Sequence, residues 1–322
     1  CNEGAGGEFM TGFGVPRDAY GEVLLELGET RKDIVVLDAD LSSSTKTSSF
    51  GKKFPDRFFN IGIAEQNMIG ISAGLATTGK TVFASSFAMF AVGRVYDQIR
   101  QSLAYPKMNV KIVATHAGIT VGEDGVSHQM IEDISLMCAL PNMKVIVPAD
   151  TFETKKTIRE ISLEKGPTYV RLGRSKVPNV FENEDEIKLG KATTLVDGDD
   201  VTIIASGVMV SKSIEAAQKL KSEGISASVV NLSTLKPIDR QGILKASKKT
   251  GCVVTAEEHN IYIGMGALVS SILSEEYPVP VLRCGIKDTF AQSGDYELLM
   301  QIYNLTADEI YKLSKNVITM KR

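Results

Sequence analysis

The sequence lacks several features that would assign it to a class of proteins. Its formal net charge over 322 residues is only -3, so no basic field points to nucleic acid. No apolar run approaches the roughly 20 residues that span a bilayer. The opening CNEGAGGEF has neither the basic nor the apolar part of a signal peptide. These absences predict a chain that binds neither nucleic acid nor membrane.

Cysteine is scarce as well, and its few copies are scattered. No CxxC and no metal-ligand spacing is present, which is typical of reduced core residues and predicts a cytoplasmic location. The composition of residues 1–9 indicates an expression scar ahead of Met10. The cysteines are Cys1, Cys138, Cys252 and Cys284.

Short apolar runs alternate with helical patterns along the chain, which predicts a mostly parallel sheet covered by helices on both faces. An irregular, acidic stretch interrupts the alternation near 176–190, and a second α/β series follows it. We therefore predict two consecutive α/β domains, 10–178 and 191–322, joined by a linker over 179–190. The predicted strands of the first domain are 33–40, 80–85, 108–116, 143–150 and 167–172, and its helices lie near 17–28, 63–77, 87–103 and 151–163.

Polar side chains follow several of these strands. Ligands of open α/β sheets bind outside the carboxyl ends of the strands, so the pattern predicts a site at that edge. The polar residues concerned are Asp38, Asp40, Ser85, Ser86, His116, Arg171 and Arg174.

Two further stretches leave alternatives open. Glu65 begins a helical pattern, either as a first-turn glutamate favoured by the helix dipole or as a buried, functional carboxylate. Phe87 and Phe90, three residues apart, are core residues or an aromatic wall for a flat heterocycle.

The segment THAGITVGEDGVSHQ, 115–129, holds two of the chain's three histidines among glycines. Glycines let backbone approach a ligand, and imidazoles donate to oxygens or carry protons. A metal site fits poorly because no third His or Cys is nearby. The pattern therefore favours a functional loop. The third histidine, His259, is predicted to be structural or to lie at an interface.

Together, IAEQNMIGISAGLA, SSFAMFAVGRVYDQIR, ATHAGITVGEDGVSHQ and PNMKVIVPAD resemble the C-terminal half of transketolases, which are thiamine-diphosphate enzymes. The resemblance covers residues 10–320 and implies a pyrimidine-binding domain followed by the transketolase C-terminal domain. The GDG motif with an Asn-rich end, which holds the metal and the diphosphate, is missing. The resemblance thus implies one subunit of a split transketolase. An N-terminal, pyrophosphate-binding partner would supply the Mg²⁺ or Ca²⁺ ligands, in an assembly with two copies of each chain.

The resemblance also implies a role for each matching residue. Glu65 would contact the aminopyrimidine of thiamine diphosphate, Phe87 and Phe90 would stack on that ring, and Asp40 and Leu41 would lie beneath the thiazolium. A third aromatic is usual where this chain has Gly93. His116 would act with Glu65 in catalysis and would contact the substrate. The other implied substrate ligands are Arg17, Ser44, Asp124, His128 and Arg174.

The implied reaction moves a two-carbon ketol unit from a ketose phosphate to an aldose phosphate, as in the pentose phosphate pathway. A rival is 1-deoxy-D-xylulose 5-phosphate synthase, which has the same domain order but a different segment in place of ATHAGI, so His116 favours transketolase. The beta subunit of a 2-oxoacid dehydrogenase lacks the GEDG-x-x-HQ loop. A non-catalytic regulatory subunit of the same fold is the remaining alternative.

Overall fold

The computed structural model describes residue 10 and residues 12–321; the predicted expression scar at 1–9, together with Cys1, lies outside the described residues. The strands are β1 Phe13–Gly14, β2 Ile34–Asp38, β3 Phe58–Asn60, β4 Thr81–Phe87, β5 Val110–Thr115, β6 Lys144–Ile146, β7 Thr168–Arg171, β8 Val177–Pro178, β9 Thr193–Val196, β10 Val201–Ala205, β11 Ala227–Asn231, β12 Thr234–Lys236, β13 Val253–Asn260 and β14 Val281–Ile286. The helices are α1 Pro16–Thr30, α2 Ser42–Thr45, α3 Ser48–Lys53, α4 Glu65–Thr77, α5 Ala88–Ala91, α6 Tyr96–Gln98, α7 Asp133–Ala139, α8 Thr151–Leu163, α9 Met209–Ser222, α10 Arg240–Thr250, α11 Met265–Glu276, α12 Tyr296–Ile302 and α13 Ala307–Thr319.

Two α/β units follow one another, which confirms the predicted fold class. The first sheet has the strand order β12-β6-β7-β5-β4-β2-β3, and all of its strands are parallel except β12. The second sheet has the order β14-β13-β10-β11-β9, with β9 antiparallel at one edge. The central strands are buried along their whole length because helices cover both faces, as near-continuous apolar runs such as IVVLD and VTIIA require.

Three local features differ from the sequence-based expectations. The predicted helix over 87–103 is broken into α5, a 3₁₀ turn at Gly93–Val95, α6 and a π-helix at Ile99–Ala104. Strand β12 comes from the second half of the chain yet extends the first sheet. The stretch 176–190 is packed rather than free, since Phe181 and Ile187 are only 1% and 4% exposed. The linker boundaries themselves stay a prediction.

A buried arginine links the two units. Arg171, at the end of β7, donates from Nε to Asp133 Oδ2 at 2.9 Å, and its Nη1 lies 3.5 Å from Glu258 Oε2 on β13. Burial opposes the charge on Arg171, but the two carboxylates outweigh burial and raise its pKa above the usual value. His259 is fully buried beside them, with Nε2 3.9 Å from Asp133 Oδ1, and burial lowers its pKa to about 4. His259 therefore lies at the interface between the units.

The glycines of the 115–129 loop serve this interface. Glu258 Oε1 accepts a hydrogen bond from the Thr120 backbone N–H at 2.7 Å. A Cβ on Gly118 would lie 2.1 Å from the Glu258 carboxyl carbon, and one on Gly122 would lie 3.3 Å from the Gly294 carbonyl oxygen. These glycines therefore let the second domain approach the loop closely, and the expectation that they bring backbone close to a ligand stays a prediction.

None of the helices within the described part of the chain is long and apolar enough to cross a membrane.

Gly118→Ala should destabilise the protein by about 2–4 kcal/mol, because the new methyl group displaces the Glu258 carboxylate from Thr120 and Arg171. Gly224→Ala is the matched control: its φ of +79° equals that of Gly118 within a degree, but its Cβ would meet nothing within 4 Å. The control should lose only about 1 kcal/mol through backbone strain. Denaturant unfolding measures both; equal losses would show that the Glu258 contact is unimportant.

Candidate active site

The loop after β2 is shaped by a buried carboxylate that the sequence does not single out from its neighbours. Asp38 accepts hydrogen bonds from the Leu41 backbone N–H at 2.6 Å and from the hydroxyls of Thr45 and Thr47 at 2.6 and 2.9 Å. Burial raises the pKa of Asp38, against the effect of these donors. Asp38 thereby fixes the segment that carries Asp40, Leu41 and Ser44.

Asp40 lies exposed at the same edge in a left-handed conformation, with φ +63°. Its backbone N–H donates to Asn60 Oδ1 at 3.0 Å, and Asn60 Nδ2 donates back to Asp40 Oδ1 at 3.0 Å. Leu41 is half-buried beside it. Asn60, at the end of β3, is a partner that the sequence-based prediction missed.

Glu65 begins a helix and is also buried, and its functional role stays a prediction. It is the first residue of α4, where the helix dipole favours a carboxylate, and it is only 3% exposed. Arg94 Nη1 donates to both carboxylate oxygens, at 3.2 and 3.1 Å. The guanidinium carbon of Arg94 also lies 4.4 Å from the centre of the Phe90 ring. Arg94 is a site residue that sequence reasoning missed, although it adjoins Gly93, where the helical pattern breaks.

Four rings form one aromatic cluster, which Arg94 links to Glu65. Phe87 and Phe90 lie 6.0 Å apart and nearly parallel, at 14°. His116 stacks on Phe87 at 3.7 Å, and His128 meets Phe90 edge-on at 5.1 Å. The structure therefore brings the two phenylalanines and the two histidines of the later 115–129 loop onto one wall.

Methionines adjoin the place of the missing third aromatic. A Cβ on Gly93 would lie 3.5 Å from Met89 Cε and 3.7 Å from Met130 Cε. These are ordinary van der Waals distances, so the two thioether side chains border Gly93 on the protein side.

The hydrogen bonds of His116 define its tautomer. Arg17 Nη1 lies 3.3 Å from Nε2, and Thr115 Oγ1 lies 2.8 Å from Nδ1. A guanidinium can only donate, so Nε2 accepts and Nδ1 carries the proton, which it donates to Thr115. Burial, followed by the charges of Arg17 and Arg174, lowers the pKa of His116 to about 3. The ring is therefore a neutral imidazole, held at φ +57°.

Two arginines give this edge a positive charge. Arg17 donates to the Ser44 carbonyl at 3.0 Å, and its Nε is buried without a hydrogen-bond partner among the described residues. Burial and the nearby Arg174 lower the pKa of Arg17, partly offset by Asp18. Arg174 donates to the Val121 carbonyl at 2.5 Å and to Glu123 at 3.1 Å. An orphaned guanidinium N–H in a positive field suits an anionic ligand.

The predicted residues fall into two groups. A chain of contacts runs from Glu65 through Arg94 to Phe90, and on through Phe87, His116 and Arg17 to Ser44, with His128 against Phe90. Asp124 is exposed on the loop and outside this chain of contacts. In the residues that the structure describes, no group of three or more His, Cys, Asp or Glu side chains could hold a metal ion.

Imidazole NMR should show His116 as the Nδ1–H tautomer, unchanged from about pH 8 to pH 5. The unfolded chain takes up this proton near its usual pKa of 6.5 and the folded chain does not until about 3, so His116 makes stability fall as the pH drops through that window. The His116→Gln variant identifies the imidazole signal of His116, because that signal is missing from its spectrum. A midpoint close to the usual pKa, or an Nε2–H tautomer, would contradict the geometry.

Two family models match consecutive parts of the chain. The transketolase pyrimidine-binding domain covers residues 16–180 and the transketolase C-terminal domain covers residues 190–310. A protein of Methanocaldococcus jannaschii, provisionally named a transketolase C-terminal section, is 54% identical over 92% of this chain and 94% of its own length. The 6-deoxy-6-sulfo-D-fructose transketolase subunit SqwH of a Clostridium species is 40% identical over 95% of each chain.

The fold has a close counterpart among solved structures. A split-gene transketolase, described as an inactive beta4 tetramer, superimposes with a TM-score of 0.90 at 51% identity and covers 96% of this chain and 99% of its own. Against human transketolase, 94% of this chain matches 49% of that protein, so the chain spans about half the length of such relatives. The chain belongs to the transketolase family, and its fold is that of a transketolase pyrimidine-binding domain followed by a transketolase C-terminal domain.

Proposed function

We propose that the chain is one subunit of a two-chain, thiamine-diphosphate-dependent transketolase that moves a two-carbon ketol unit from a ketose phosphate to an aldose phosphate. The observation that carries the proposal is the position of Glu65. Its carboxylate is buried at the start of α4, and the guanidinium of Arg94, which lies over the Phe90 ring, connects it to the aromatic cluster. A buried carboxylate beside aromatic rings is what a planar, weakly basic heterocycle needs in order to share a proton.

The residues present fit the ring half of thiamine diphosphate. Glu65 offers the hydrogen-bonding edge, Phe87 and Phe90 offer the stacking surface, and Asp40 with Leu41 lies at the same sheet edge. When bound, the cofactor supplies the nucleophilic carbon that carries the two-carbon unit. No set of metal ligands is found among the described residues, so we assign the Mg²⁺ or Ca²⁺ and the diphosphate to the partner.

The substrate contacts follow from charge and protonation. His116 is neutral, so it can donate or accept without carrying a charge into the site. Arg17 and Arg174 supply the positive field for a sugar phosphate, with Ser44 beside Arg17 and with His128 on the aromatic wall as a further ligand. Asp124 is an acceptor for a substrate hydroxyl at the exposed side of the loop.

An N-terminal, pyrophosphate-binding subunit is the proposed partner, since this chain matches only half of human transketolase. The α4 helix supports such a contact: a Cβ on its Gly70 or Gly74 would meet nothing within 4 Å in the described residues, so a second helix could approach closely. We propose two copies of each chain in the cytoplasm.

The name of the Clostridium relative refers to a sulfonated sugar, so the sugar phosphate of this chain stays a proposal at the level of its class.

Glu65→Gln should lower ketol transfer by at least about 100-fold when the variant is assayed with the partner chain, because the amide cannot share the ring's proton. The variant should fold, which thermal unfolding checks. Glu29→Gln, on the exposed surface, is the control and should keep wild-type transfer.

Transfer near the wild-type rate in Glu65→Gln would refute the role of that carboxylate. The same reconstituted enzyme should release no carbon dioxide from pyruvate and glyceraldehyde 3-phosphate. Release would instead support the synthase alternative. Absence of either reaction with an intact complex would support a regulatory subunit.

A further inference from the structure

We propose that Arg94 occupies, in the chain alone, the place of the cofactor's aminopyrimidine ring, and that it leaves this place when the ring binds. Arg94 would then be a built-in competitor that keeps the lone subunit from taking up cofactor. The proposal rests on the proposed function, since it concerns the same site.

One side chain makes both contacts that the ring requires. The planar guanidinium of Arg94 lies over Phe90, 4.4 Å from the ring centre, and its Nη1 donates to both oxygens of Glu65. An aminopyrimidine is also planar, and it needs the same aromatic face and the same carboxylate. The two groups cannot occupy this space together.

The ion pair explains how Glu65 is accommodated without a ligand. A buried carboxylate is costly unless it is paired and hydrogen-bonded. Glu65 is 3% exposed, whereas 48% of the Arg94 side chain faces solvent. Arg94 therefore satisfies Glu65 from the open side, the direction from which a ligand would arrive.

The backbone lets Arg94 move without disturbing the scaffold. Arg94 lies in the 3₁₀ turn that interrupts the predicted helix, next to Gly93, and Gln66 Nε2 donates to its carbonyl at 3.3 Å. Rotation of the side chain can thus release Glu65 and Phe90 while the turn stays in place. A permanent supporting role for Arg94 makes the opposite prediction, that its loss weakens binding of the ring.

The test uses the isolated chain and a neutral probe, the aminopyrimidine alcohol that corresponds to the ring half of the cofactor. Its affinity is measured by ligand-observed NMR for wild type, Arg94→Met, the double variant Arg94→Met with Glu65→Gln, and Arg100→Met. A neutral probe avoids the attraction between the diphosphate and any arginine. Arg100 is exposed and follows Arg94 in the same broken helical segment, so Arg100→Met controls for loss of one charge.

Arg94→Met should bind the probe about tenfold more tightly than wild type, because the competing contact no longer lowers the fraction of chains with an open site. Arg100→Met should match wild type, and the double variant should lose the gain. If Arg94→Met does not fold, Arg94→Lys, which keeps the charge but not the planar group, should show a smaller gain.

Unchanged or weaker binding of the probe by Arg94→Met overturns the proposal. The absence of any binding overturns it as well, because removal of the Arg94 guanidinium must expose Glu65 and Phe90 to the probe. These results leave the proposed function standing if Glu65→Gln abolishes transfer in the partnered enzyme. Conversely, the proposed function fails if Glu65→Gln transfers normally, whatever Arg94 does.

Discussion

The pairing of Arg171 with Asp133 and Glu258 is the interaction on which the rest of the structure depends. It buries a guanidinium between the two α/β units, where loss of Arg171 would leave two buried carboxylates without their common counter-charge. Glu258 also binds the Thr120 backbone, so the same carboxylate that joins the domains holds the 115–129 loop. The contact between the domains therefore fixes the part of the loop around Thr120, whereas His116 directly follows strand β5 of the first sheet.

The candidate site therefore combines residues with a fixed backbone, His116 and Asp40, and one side chain that can move, Arg94. His116 and Asp40 are held in left-handed backbone conformations, at φ +57° and +63°, which only an over-determined scaffold maintains. Arg94 is different, because its side chain is half exposed and its contacts are made with groups that a ligand can claim. The substrate contacts can thus stay fixed while Glu65 and Phe90 exchange Arg94 for the ring of the cofactor.

Much of the fold follows from the sequence, since apolar strand runs and helical periodicity show where β2, β4, β5, β10 and α8 lie. The break at Gly93 and the insertion of β12 into the first sheet could not be predicted, because both depend on contacts distant in the chain. The resemblance pointed to Glu65, Phe87, Phe90 and His116 together; the structure brings the three rings into contact and links Glu65 to them through Arg94. Arg94 and Asn60 were missed because their roles arise from ion pairing and hydrogen bonding across loops rather than from a local pattern.

The central claim is that this chain carries the ring and substrate contacts while a second chain carries the diphosphate and metal contacts. Titration calorimetry with thiamine diphosphate and Mg²⁺, on this chain, on the partner and on their mixture, tests it most directly. Tight, metal-dependent binding by the mixture alone is the predicted result. Tight, metal-dependent binding by the isolated chain would contradict the account.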